Sequence, residues 1–140
     1  MSFREKSAWI MSLALLALGL AYFYAVSAIW SESGQLAAPM LPLVIAYTVC
    51  LILLATIGHI AIAALAPRDA NAAIDERERR IFERAGHYSS YVLGAGIVLS
   101  LGVYLVFRSG DLLFYTVFAS LMLGQITEYL LQIVFYRRPI

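Results

Sequence analysis

The stretch DERERRIFERAGHYSSY, Asp75–Tyr91, is the one dense run of charge in a chain that is otherwise mostly apolar. It separates two hydrophobic halves, and it continues without a proline into a third hydrophobic segment. This stretch therefore decides how the chain is divided and where it meets water.

Within the stretch, the pattern of charge predicts a helix. Acidic residues are concentrated near its amino-terminal end, where the helix dipole favours negative charge. Asp75 with Arg79, and Glu76 with Arg80, are acid-before-base pairs four residues apart, a spacing that supports exposed helices. We predict a charged helix over 72–87 that runs directly into the third hydrophobic segment.

The composition of the chain indicates a membrane protein. Of its 140 residues, 62% are hydrophobic and 14% are charged, whereas about a quarter of the residues in soluble domains are charged. This is more apolar surface than one small core can bury, so we expect a lipid bilayer to cover the excess. The single cysteine, Cys50, has no partner for an internal disulfide.

Four apolar segments each reach the roughly 20 residues that a helix needs to cross a hydrocarbon core of about 30 Å. Lipid-exposed backbone must be fully hydrogen-bonded, and these runs are too long and too uniformly apolar for barrel strands. We predict an all-α fold, a single domain of four transmembrane helices in an antiparallel bundle, with the third helix extended into the cytoplasm. The expected spans are 8–30, 41–66, 88–107 and 112–136.

The distribution of basic residues predicts the orientation. Nine of the ten lysines and arginines lie in the two tails or in the long second loop. Because such residues concentrate on the cytoplasmic side of a membrane, both termini are expected in the cytoplasm.

Polar residues inside the predicted spans form the first candidate site. Gln125, Glu128 and Gln132 recur on one face of the fourth helix, and His59 lies at a similar depth on the second. We expect all four to point inward, and Glu128 could pair directly with His59. An ionisable residue in the membrane suggests a functional site, although these groups could also simply hydrogen-bond the helices together, or Glu128 could pair with a loop arginine.

A row of small residues opens the third helix, with Gly86, Ser90 and Gly94 at every fourth position. Small residues let two helices approach closely, which favours helix association in lipid. The row predicts either packing within the bundle or the seam of a homo-oligomer, most simply a dimer.

The charged stretch is the second candidate site, because its side chains are expected outside the bilayer. Three interpretations are open: contact with anionic lipid headgroups, contact with a cytosolic protein, or a solvated helix that only enforces topology. The interleaved acids weaken the lipid interpretation. The candidate contact residues are Asp75, Glu76, Arg77, Arg79, Arg80 and Arg84.

Three blocks of sequence resemble a known group of proteins. The opening SFREKSAWI of Ser2–Ile10, the DERER of Asp75–Arg79 and the entry to the third helix at Tyr88–Leu93 resemble small bacterial inner-membrane proteins. Those proteins belong to domain-of-unknown-function families with four helices and a DER-type motif before the third. The resemblance implies a bacterial inner-membrane location and supplies no catalytic residues.

The leading functional hypothesis is a non-enzymatic, self-associating membrane protein that acts as a sensory or regulatory component through its charged helix. An alternative is a small oligomeric transporter or channel that uses Glu128. A further alternative, a membrane haem or enzyme subunit with His59 and His87 as axial ligands, is disfavoured because the two histidines differ in depth. No metal-binding spacing or phosphate-binding loop is present in the sequence, and we expect no cofactor and no nucleic-acid partner.

Overall fold

The computed structural model describes residues 3–65, 67 and 74–138. These residues form an all-α fold, and each helix is long and apolar enough to cross a membrane. The predicted fold class and the four-helix organisation are confirmed at this level. The helices are α1 (Phe3–Ser33), α2 (Leu41–Leu65), α3 (Glu76–Phe107) and α4 (Gly110–Arg137).

The first and last helices of the chain are longer than their predicted spans, because α1 begins at Phe3 and α4 ends at Arg137. The charged helix is part of α3, which runs unbroken from Glu76. Residues 72 and 73, which the prediction also placed in that helix, lie outside the described residues.

The helix ends follow from local chemistry. After α1, Gly34 adopts a positive φ of 68° and donates its backbone N–H to Trp30 O at 2.9 Å, which is the left-handed cap that glycine favours. The α3–α4 connection is a tight turn in which Arg108 is left-handed and Ser109 caps α4. The Ser109 hydroxyl accepts a hydrogen bond from Leu112 N at 3.2 Å.

The helices are arranged in the order α2, α1, α4, α3. Close backbone approaches join α2 to α1, α1 to α4 and α4 to α3, and among the described residues they join no other pair of helices. The central helices, α1 and α4, have more of their apolar windows buried than the outer ones. As a result, α2 and α3 flank the α1–α4 pair, and their backbones do not approach each other within the described residues.

The α3–α4 interface is built from small residues. A Cβ added to Gly96 would lie 2.7 Å from Ser120 Cβ, and one added to Gly124 would lie 3.2 Å from Leu93 Cβ. Ser100 Oγ lies 3.5 Å from Ser120 Oγ, so two hydroxyls meet across the contact. Close approach of this kind replaces the hydrophobic drive that is missing between helices in lipid.

An aromatic cluster closes one end of the molecule. Tyr22 of α1, Tyr47 of α2 and Phe118 of α4 have ring centroids within 6 Å of one another. Tyr115 donates its hydroxyl proton to Ala37 O at 3.0 Å and so holds the α1–α2 loop to α4. A cleft with polar side chains lies at the opposite end.

Candidate functional site

The charged end of the molecule contains a polar cleft. We use "charged end" for the end where the start of α1, the end of α2, the start of α3 and the end of α4 meet. The cleft has a volume of about 400 Å³ and takes side chains from all four helices. Its lining residues are Phe3, Arg4 and Ser7 from α1, His59 from α2, Phe82 from α3, and Glu128, Tyr129 and Gln132 from α4.

His59 joins the end of α2 to the start of α1. Its Nε2 lies 2.6 Å from Ser7 Oγ, and its Nδ1 lies 2.6 Å from Ala55 O. Because a carbonyl oxygen only accepts, Nδ1 must carry a proton. Nε2 of a neutral ring then accepts from the Ser7 hydroxyl. Just beside it, Gly58 lets α2 approach Ile10 of α1, since a Cβ there would lie 2.7 Å from Ile10 Cγ2.

The second polar group in the cleft is Glu128 with Gln132. Gln132 is buried and donates from Nε2 to Glu128 Oε1 at 3.4 Å. Glu128 and His59 thus face one cleft as expected, but no hydrogen bond links them among the described residues. The suggested direct pair is replaced by a His59–Ser7 bond and a Glu128–Gln132 bond.

The position of Gln125 differs from the expectation. Its side chain is exposed and does not line the cleft, although it lies nearly in line with Gln132 along α4. Gln132, by contrast, is buried and lines the cleft together with Ser7 of α1 and His59 of α2. Helical periodicity identified a common face, but only part of that face is covered.

Ion pairs tie the charged end together. Arg4 Nε of α1 lies 3.0 Å from Glu78 Oε2 of α3, with about a fifth of each side chain exposed. Glu5 is buried and pairs with Arg137 at 3.4 Å, and the Arg137 guanidinium also lies over the Trp9 ring at 5.4 Å. The first predicted span begins at residue 8, so the prediction left Arg4 and Glu5 outside the helix. The available signal was an acidic residue, Glu5, near one end of the chain and basic residues, Arg137 and Arg138, near the other.

The charged stretch is docked on one side and exposed on the other. Ile81 and Ala85 are fully buried, while Glu78 is held by Arg4 and by Tyr136, whose hydroxyl lies 3.5 Å from Glu78 Oε1. The stretch therefore does not project alone from the bundle, since the ends of α1 and α4 extend beside it. Its exposed residues include Asp75, Glu76, Arg77, Arg79, Arg80 and Arg84.

The exposed charges are partly paired along the helix. Glu76 pairs with Arg80 at 3.4 Å, as the spacing predicted. Arg79, however, pairs with Glu83 at 2.8 Å rather than with the Asp75 side chain. Glu83 lies one turn further into the helix, whereas Asp75 is the extended residue that precedes it.

The predicted small-residue row does not pack within the described chain. A Cβ added to Gly86 or Gly94 would meet nothing within 4 Å, and Ser90 is exposed. The α3 residues that do contact α4 are different ones and include Leu93, Gly96 and Ser100. Of the two interpretations, packing inside one bundle is therefore wrong for this row. Self-association stays a prediction.

The two histidines lie in different surroundings. His59 lines the cleft, whereas His87 is exposed on α3 and stacks edge-on with Tyr91 at 5.0 Å between ring centroids. Within residues 3–65, 67 and 74–138, no group of three or more histidine, cysteine, aspartate or glutamate side chains could hold a metal ion.

Comparison with known proteins adds no relative to this description. No protein-family model, no curated protein and no solved structure matches the chain.

Proposed function

We propose that the chain is a non-enzymatic integral protein of a bacterial inner membrane, with four antiparallel spans and both termini in the cytoplasm. It acts as a sensory or regulatory component, and the exposed face of its charged stretch contacts a cytosolic protein. The resemblance of the opening and DER blocks supports the location. Four helices of sufficient length and apolarity support the membrane assignment.

One observation carries the proposed contact: the charged stretch is fixed to the bundle while its outer face is free of the bundle. Ile81 and Ala85 are 0% exposed, so the stretch cannot swing as a loose tail. Most of the Arg79 side chain, by contrast, is exposed. A rigid surface loses little conformational entropy when a partner binds. Its mixed charges suit specific protein recognition, because complementary potentials select partners.

The test inverts the two surface ion pairs and leaves the buried side alone. A variant with Glu76→Arg, Arg80→Glu, Arg79→Glu and Glu83→Arg keeps the net charge and the i, i+4 pairing, so the helix should remain folded. Wild-type protein purified from its host membrane in mild detergent should retain a cytosolic protein that the inverted variant loses.

A matched control is Glu32→Gln, which changes an exposed charge at the opposite end and should leave co-purification unchanged. Equal recovery of the same cytosolic protein by the wild type and the inverted variant would refute the proposed contact surface.

A second candidate function is transport or channel activity through Glu128, and the polar cleft favours it. The cleft combines an ionisable side chain with a volume of about 400 Å³, within the range of small-ligand sites. A transporter or channel needs a ligand that enters this cleft, whereas the proposed contact with a cytosolic protein does not.

A further inference from the structure

The polar cleft has an aromatic as well as a polar lining. Phe3, Phe82 and Tyr129 come from three different helices and line the same space as the polar groups. Such a mixture is typical of sites that hold a small organic ligand, in which apolar surface supplies contact and a few polar groups set orientation.

The charge of the cleft follows from its hydrogen bonds. Arg4 contributes a positive charge, but Glu78 lies 3.0 Å from it and balances that charge. His59 also has partners within the protein, because Nδ1 donates to Ala55 O and Nε2 lies 2.6 Å from Ser7 Oγ.

Glu128 is the remaining ionisable acid. Its hydrogen bond comes from the neutral Gln132 amide, and among the described residues no cation forms an ion pair with it. An ionised Glu128 gives the cleft one uncompensated negative charge beside aromatic rings.

We propose that this cleft binds an organic monocation that carries a substituted ammonium group. The Glu128 carboxylate supplies the counter-charge, and the rings of Phe3, Phe82 and Tyr129 supply the aromatic surface to which alkylammonium groups are attracted. The cation occupies the cleft that these side chains line.

Other ligand classes fit the lining less well. A divalent metal ion takes several oxygen ligands, whereas this cleft offers one carboxylate and a lining that is partly aromatic. An anion would meet an arginine already engaged by Glu78 and would be repelled by Glu128.

The test compares a cation with its neutral isostere. Choline and 3,3-dimethylbutan-1-ol have the same shape around the quaternary centre and differ in charge. Isothermal titration calorimetry on the full chain, in lipid-free maltoside micelles, should show choline binding at least about tenfold more tightly than the alcohol. Equal affinities, or no choline binding, would overturn the proposal.

Variants locate the site. Glu128→Gln should weaken choline binding by about tenfold or more and leave the weak binding of the alcohol unchanged. Phe82→Leu removes one ring while leaving the carboxylate, so it should weaken choline binding severalfold even if Glu128→Gln does not fold. Glu32→Gln, at the opposite end, should bind choline like the wild type. Choline affinity that is unaffected by both cleft variants would place the cation elsewhere and refute the proposal.

The ammonium group can come from a soluble amine or from a lipid headgroup, and reconstitution separates the two sources. The protein is placed in phosphatidylglycerol vesicles with or without phosphatidylcholine, and choline binding is measured again. Competition by phosphatidylcholine would assign the site to a lipid headgroup, and unchanged binding would assign it to a soluble amine.

The inference does not rest on the proposed cytosolic contact, and it supplies a ligand class for the cleft that the transport alternative invokes. Loss of choline binding in Glu128→Gln is measured without any partner. If the inverted charged-stretch variant keeps its cytosolic partner, the choline result still stands. If choline does not bind, the co-purification result still stands.

Discussion

At the scale of single residues, the Ser7–His59 hydrogen bond is the most consequential contact that the helix pattern did not indicate. It spans 52 positions in sequence and joins the start of α1 to the end of α2. Removing either side chain leaves the other without its partner in a part-buried setting, and unsatisfied polar groups are costly where water is scarce.

A pair of double-mutant cycles tests which polar residues in the cleft act together. Ser7→Ala and His59→Gln should each lower the free energy of unfolding. The double variant should lose less than the sum, with a coupling of about 0.6 to 1.7 kcal/mol, the range for hydrogen bonds between membrane helices. Denaturant unfolding in mixed micelles, followed by circular dichroism, measures it.

The matched cycle uses Glu128→Gln with His59→Gln. Because these side chains have separate hydrogen-bond partners, their losses should add to within about 0.5 kcal/mol. A larger coupling between Glu128 and His59 than between Ser7 and His59 would contradict the hydrogen bonding described for the cleft.

At the scale of elements, α3 carries two rows of small residues with different roles. Gly96 lies against Ser120 so closely that an added Cβ would come within 2.7 Å of Ser120 Cβ. Gly94, two residues earlier, has open space beside it. The two glycines therefore offer a matched comparison on one helix.

Alanine substitution should separate the two rows. Gly96→Ala should lower the free energy of unfolding by about 1 to 3 kcal/mol, the usual cost of forcing extra atoms into a packed contact. Gly94→Ala should leave it unchanged or raise it slightly, because alanine favours the helix over glycine. Equal destabilisation by both substitutions would contradict the α3–α4 packing.

A bulkier residue at the open row tests self-association. Gly94→Leu should keep the fold, since nothing lies within 4 Å of the position, and should shift the protein to a smaller species in detergent if Gly86, Ser90 and Gly94 form the seam between copies. Size-exclusion chromatography with light scattering reads the mass. An unchanged mass would refute the prediction that this row forms the contact between copies.

At the scale of the whole molecule, charged residues from both ends of the chain form ion pairs at the charged end. Glu5 pairs with Arg137, 132 positions away in sequence, and Arg4 pairs with Glu78. The start of α1, the start of α3 and the end of α4 are therefore held together at the charged end.

The charged end contains the two tails and the second loop, so the orientation prediction applies to all of them together. Nine of the ten lysines and arginines belong to the tails or the second loop, and the positive-inside rule keeps such segments in the cytoplasm. A fluorescent protein fused after Ile140 should fluoresce, and alkaline phosphatase fused there should be inactive. The same reporters inserted after Gly34, in the first loop, should give the opposite pattern; an active phosphatase after Ile140 would overturn the proposed topology.

The local sequence is enough to predict the four helices and several of their limits. These depend on a local cause, the length of each apolar run. The sequence also indicated that Glu128, Gln132 and His59 lie at a common depth, because depth along a helix follows from residue counting. Each of these properties needs only neighbours along the chain.

The contacts of those residues, by contrast, depend on how the helices pack in three dimensions. Periodicity gives the face on which a side chain lies, but it does not say which helix covers that face or how far along. This is why Gln125 is exposed while Gln132 is buried, and why His59 bonds Ser7 instead of Glu128. It is also why α4 packs on the row of Gly96 and leaves Gly94 open, since that choice depends on the fit between two surfaces rather than on either sequence alone.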